Sequence, residues 1–286
     1  MYPFVKQFIS YSGDFNFGML ILDVKGNFYK QVKHYAELFN RIDDLYVIEL
    51  GGKIKYNPLD KQNLKPSVLA NRLKTILTLF SPNNPESYWI DKAEEVLTEA
   101  IKLCRLYNNG YVTFIELHKL VNSPDYYCEK VEHMRQLFRS GTLSASQIYD
   151  LHSAITFFEN EYKTLDSRVL SILKSEISRM TNIFVSDYDI QNTFCPNKND
   201  INFTGFEDVI HNGKIVVLNM NIAMYKNLSK LIAAYLKLDF QTEILSQLSK
   251  GDAKPVVFMC DEFHEYVTTT DSEFFAQSRE AKCINI

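Results

Sequence analysis

Apolar residues fall in a few short unbroken runs near the two ends of this chain and recur at helical spacing through its middle. "FGMLIL" occupies 17–22 and "LYVIEL" 45–50, while Ile215 to Leu218 form a third run after an Asn-Gly turn signal. A fourth, in "KPVVFMCDE", leads into Asp261 and Glu262. A strand with one face in water alternates apolar and polar residues. Near-continuous runs predict strands buried on both faces, the habit of a parallel sheet, here at 17–22, 45–50, 215–220 and 256–261. Between the first two, "NFYKQVKHYAELFNRI" brings Phe28, Val32, Tyr35 or Ala36, and Phe39 round at helical spacing. That is strand, helix, strand.

From about Ser67 to Val185 the pattern becomes helical. Trp89, Ala93, Val96, Leu97, Ala100, Ile101 and Cys104 form one stripe, and "LDSRVLSILKSEISRMTNIF" forms another through Leu165, Val169, Ile172 or Leu173, Ile177 and Met180. Ser144 followed by Gln147 reads as a capping box. "SPNNPES" and "NSPD" read as turns, the second with Pro just inside a helix start. After this block the texture reverts. "YKNLSKLIAAYLKLDFQTEILSQL" is a long amphipathic helix, "TTTDSEFFAQSREAK" a helix starting near Asp271, and "CINI" the opening of one more strand. The organisation read from these shifts is an α/β part over 1–66, an all-helical subdomain over 67–190, and a second α/β part over 191–286.

Composition adds limits. The 286 residues are 46% hydrophobic and 23% charged, a globular composition with no low-complexity tract. No apolar run approaches the roughly 18 residues of a membrane span. A net charge of -4 gives no case for wholesale nucleic-acid binding. Five widely spaced cysteines without a C-x-x-C pair read as buried or incidental thiols.

The chemistry concentrates at "VVFMCDEFHEYV". An apolar strand ending in Asp-Glu has the form of a Walker B element, in which the strand tip aims the first acid at Mg2+ on nucleotide phosphates. The second acid points differently and is placed to polarise the attacking water. A strand-terminating Asp-Glu facing solvent fits the same pattern. "HEYVT" has Thr268 where a zinc peptidase needs its second histidine, so that site fails on ligand count. No G-x-x-x-x-G-K-[ST] occurs: "GGK" at 51–53 and "NGK" at 212–214 each continue with isoleucine. The phosphate cradle of a nucleotide site is therefore not among these residues.

Six segments, in order, resemble one family, the conjugative DNA-transfer ATPases or coupling proteins of type IV secretion (the TraG/TraD-like branch). They are "GMLILDVKGNFYKQV" with its D-x-K-G, "KYNPL", "SYWIDKAEEVLTEAI", "LDSRVLSILKSEISRMTNIF", "GKIVVLNMN", and "VVFMCDEFHEYV" with "FFAQSREAKCINI". The resemblance implies a partial P-loop NTPase (RecA-like), mostly parallel sheet interrupted by an all-helical subdomain. It implies an internal portion of a longer motor that begins after the P-loop and stops before a downstream polar strand end. It makes Asp261 the metal-coordinating acid and Glu262 the catalytic base. Asp23 and Lys25 fall on the nucleotide side, although a capping Asp23 and a turn-forming Gly26 explain the same residues. Arg279 stands where a neighbouring subunit's ATP site is expected, or is a solvated arginine.

For the intact relatives the resemblance implies ATP and Mg2+ as cofactors, neither expected to bind this chain tightly. It implies single-stranded DNA, relaxase and secretion-channel components as partners, and a homo-hexamer. The cytoplasmic portion would be anchored in the bacterial inner membrane by segments not present here. Rival readings are a helicase or DNA-packaging ATPase fragment, and a non-catalytic assembly or regulatory protein that keeps the helical domain.

Overall fold

The computed structural model describes residues 2–23, 25–80, 87–251 and 253–286, and the chain forms two compact units, 1–56 with 201–286, and 57–200. The turn expected at "SPNNPES" falls on residues 81–86, outside the described ones.

The first unit opens with α1 (Tyr2–Ile9), β1 (Gly18–Leu22), α2 (Tyr29–Leu38) and β2 (Leu45–Ile48). Helix α1 has no counterpart in the sequence reading; its eight residues give too few turns for a periodic signal, yet Val5 and Ile9 are buried. Strand β2 stops at Ile48, short of the expected Leu50.

The second unit holds eight α-helices among the described residues: α3 (Pro66–Leu79), α4 (Ser87–Tyr107), α5 (Phe114–Asn122), α6 (Pro124–Arg139), α7 (Ala145–Thr156), which runs on into a π-helical turn over Phe157–Tyr162, α8 (Ser167–Thr181), α9 (Ile183–Ser186) and α10 (Tyr188–Phe194). Helix α4 is its axis, packed against α3, α5, α7 and α8. Ala93, Val96, Leu97, Ala100, Ile101 and Cys104 are fully buried, and burying a Val, Leu or Ile side chain contributes about 1.5–3 kcal/mol. Trp89, at the start of the stripe, is only half-buried. The capping box of Ser144 and Gln147 forms, and Ser123 caps α6 with Pro124 as its first residue. Asn57 is buried and fixes the entrance to this unit, donating to the Val112 carbonyl at 2.7 Å and accepting from Leu59 N–H at 3.0 Å.

The chain re-enters the first unit through α11 (Phe206–Asn212), β3 (Ile215–Leu218), α12 (Ile222–Lys250), β4 (Val256–Cys260), α13 (Asp271–Ser278) and β5 (Cys283–Asn285). Its return is tied to its departure: Asn202 accepts from Lys55 N–H and donates to the Lys53 carbonyl, both at 2.8 Å. Tyr56 is fully buried, with its hydroxyl 3.3 Å from Asp239.

The five strands form one parallel sheet in the order β2-β3-β1-β4-β5. Every residue of β1, β3 and β4 is buried, because helices cover both faces. Met19, Ile21, Ile215, Val217, Val257 and Met259 pack with Val5, Ile9 and Val32 of α1 and α2. The alternate residues face the other way, where Phe258 meets Phe240 of α12 and Phe240 meets Phe206 of α11. The central strands therefore needed no polar face, and their sequences have none. Among the described residues no helix is long and apolar enough to cross a membrane. The five cysteines are free, four of them buried.

Candidate functional site

Register decides what stands at the edge of the sheet. Strands β1 and β4 are parallel neighbours with Leu22 opposite Cys260. The residues that follow, Asp23 and Asp261, leave the C-terminal edge side by side, and Asp261 N–H donates to the Leu22 carbonyl at 3.0 Å. A one-residue slip would turn every side chain of β4 to the wrong face, so burial on both faces fixes this pairing.

The two acids are used differently. Asp23 is buried, and its oxygens accept from the N–H groups of Lys25 (3.0 Å), Asn27 (3.0 Å) and Phe28 (2.9 Å). These donors lead into α2, whose N-cap Phe28 offers no side-chain oxygen. Asp23 thus supplies the cap from upstream and fills three of the roughly four lone-pair positions of a carboxylate. Gly26 completes the loop at φ 64, where a Cβ would stand 2.7 Å from Asn221 N. Asn221 donates to the Lys25 carbonyl at 2.6 Å and caps α12 through Ala223 N–H at 2.7 Å, so the tips of β1 and β3 are joined.

Asp261 is half-buried, and among the described residues its carboxylate has no hydrogen-bond or ion-pair partner. Glu262 adopts the left-handed conformation at φ 51, ψ 50, which swings its exposed side chain off the line of β4, 3.5 Å from His264 Nδ1. Lys25 is exposed on the same edge. Arg279 is exposed at the opposite edge: it follows α13, and β5 begins with Cys283 opposite Val256. Five residues of strand, about 16 Å, separate that level from Asp261. The fold therefore gathers Asp23, Lys25, Asp261 and Glu262 and leaves Arg279 apart from them.

The two Gly-Lys pairs have other duties. Gly213, at φ 65, ends α11, and Lys214 Nζ lies 2.9 Å from Asp44 at the start of β2. Gly51 turns the chain at φ 68 after β2. Among the described residues no three His, Cys, Asp or Glu side chains converge as a metal cage. The uncommitted Asp261 suits a cation that takes one carboxylate and fills its other positions with water and phosphate oxygens, as Mg2+ does.

The sequence reading missed the buried group beneath this edge. Lys237 of α12 is fully buried and bonded to Asp271, the first residue of α13, which Gln241 also contacts at 2.9 Å. The signal was present: Lys237 sits among Ala233, Leu236 and Phe240, on the apolar side of its helix, where a solvated lysine would not be.

No family model and no curated protein matches the chain. Among solved structures, the bacterial conjugative coupling protein TrwBdeltaN70, in a trigonal form in complex with sulphate, is similar with a TM-score of 0.53 and 10% identity, over 99% of this chain and 69% of that one. At this identity the likeness shows the fold: a mixed α/β chain with a five-stranded parallel sheet, RecA-like and similar to that coupling protein.

Proposed function

We propose that this chain is a portion of a DNA-transfer motor of the conjugative coupling-protein kind, in which Asp261 and Glu262 form the cation and base side of an ATP site. The observation that carries the reading is the pairing of an uncommitted Asp261 with a structurally committed Asp23 at the C-terminal edge of a parallel sheet. The open edge at the strand C-termini is where α/β folds bind ligands. The likeness in fold to TrwBdeltaN70 over 99% of the chain supports the same reading.

In this reading Asp261 would hold Mg2+, and Glu262, turned away from it, would take a proton from water. When bound, the cation neutralises phosphate charge. Phosphate itself would be cradled by backbone N–H groups of a glycine-rich loop before a helix, and no such motif occurs in the 286 residues. Acids alone repel a polyphosphate. DNA, relaxase, a hexameric ring and a secretion channel belong to this proposal.

Calorimetric titration tests it. The chain alone should bind Mg2+–ATP more weakly than about 1 mM, or roughly -4 kcal/mol, with no turnover. Fusing a glycine-rich strand–loop–helix segment from a coupling protein ahead of residue 1 should restore binding, and Asp261→Ala should abolish that gain. Micromolar binding by the chain alone would overturn the account of the cradle. A fused, folded chain that gains nothing would overturn the motor reading.

A further inference from the structure

The segment that carries the two acids has little regular structure of its own. After Cys260 it makes one ladder bond, at Asp261, then a short 3-10 turn over Phe263–Tyr266, and reaches α13 at Asp271. One ammonium group holds it. Lys237 Nζ donates to the Tyr266 carbonyl at 2.5 Å, to Thr268 Oγ1 at 3.1 Å and to Asp271 Oδ2 at 2.5 Å. An ammonium has three donors, and all three are spent on one six-residue stretch. Asp271 answers with both oxygens: Oδ2 also accepts from Thr268 N–H at 2.6 Å, and Oδ1 accepts from Gln241 at 2.9 Å. The Phe263 ring lies 5.1 Å from the same ammonium. Two turns earlier on α12, Lys230 pairs with Glu265. Lys230, Lys237 and Gln241 are spaced by seven and four residues, so one stripe of α12 grips the segment along its length.

We propose that Lys237 and Asp271 are positioning residues for the acidic edge, a buried clamp that sets the path of residues 261–270 and hence where Asp261 and Glu262 project. The inference rests on the reading of those two acids given above. Its physical ground is the nature of the contact. A buried ion pair is a poor means to stability, since desolvating both charges offsets their attraction, and an apolar pair of similar volume often does as well. What an apolar pair lacks is direction. Hydrogen bonds from one ammonium to three defined acceptors select one path for an irregular segment. Burial pulls the pKa of Lys237 below its ordinary value while Asp271 opposes that pull, so the pair is mutually dependent.

The test uses the full chain and amide hydrogen exchange. The double variant Lys237→Met/Asp271→Leu removes both charges and keeps apolar volume. It should fold with β1 and β4 as protected as in the parent, while amides of 261–270 exchange at least about tenfold faster. Manganese affinity, read by electron paramagnetic resonance with the metal alone, should fall in the same variant. Thr268→Val removes one acceptor without a change of shape and should speed exchange in 261–270 several-fold, which keeps the test decisive if the double variant does not fold. Unchanged exchange across 261–270 in either folded variant would overturn the clamp. The reading of the acids fails separately, if Asp261→Asn leaves the parent chain's manganese binding unaltered.

Discussion

Replacing Asp23 with alanine removes the acceptor for three backbone N–H groups at once. The magnitude follows from where those donors are. Lys25 and Asn27 are exposed, so water replaces much of what their N–H groups lose. The bond to Phe28 N–H is buried, and an unmade buried donor costs about 1–3 kcal/mol. Losing a capping side chain typically costs about 0.5–2 kcal/mol. Taken together, Asp23→Ala should destabilise the α/β unit by about 2–3 kcal/mol. Asp23→Asn keeps one oxygen but sets an NH2 against a donor, so it should cost about half as much. The single tryptophan, Trp89, lies in the helical unit and does not report on the sheet. Exchange of β1 and β4 amides against urea is therefore the suitable assay. Asp261→Ala is the control: with no partner to lose, it should change stability by no more than about 0.5 kcal/mol. A loss below about 0.5 kcal/mol for Asp23→Ala would refute the assignment of this carboxylate as a cap. So would equal losses for the two acids.

Three further outcomes are expected. Burial works to raise the pKa of Asp44, but the hydrogen bonds and charges of Lys214 and Arg41 outweigh it and leave the carboxyl below its ordinary value of 3.8. Its contribution is complete above that value and is lost as pH falls through the lower folded-state pKa, so Asp44→Asn should flatten the acid side of the stability profile below about pH 4, measured by urea midpoints. Gly26→Ala forces a side chain into φ 64 against Asn221. It should destabilise by more than the roughly 1 kcal/mol of a left-handed alanine alone, read by the same exchange assay. Residues 57–200, expressed alone, should show one cooperative thermal transition by circular dichroism, because the stripes of α4, α5 and α8 bury one another.

The sequence by itself determined the central strands, the longer helices and the fold class, but not the short helix α1. "GMLIL", "IVVL" and "VVFMC" have no polar alternation, so only a sheet covered on both faces accommodates them. The stripe from Ala93 to Cys104 required a helix with a buried face, and Ser144 with Gln147 marked where another begins. These signals are local, carried by residues within a turn or two of one another. The tertiary structure alone decided the strand order, and with it that Asp23 and Asp261 become neighbours although 238 positions separate them in the numbering. It also decided their unequal roles, since a carboxylate's availability depends on which N–H groups the fold turns toward it. Arg279 is named only through the family resemblance, for a neighbouring subunit's site, and the strand order alone shows that it stands at the edge away from this chain's acids, because a parallel connection returns the chain there before the next strand starts. Lys237 is the clearest case. In sequence it shows only as a lysine on the apolar side of its helix, with no sign of its partners, and its three acceptors lie 29 to 34 residues away. No periodicity reports a bond across that separation; it exists because α12 and the segment after β4 share one face of the same sheet.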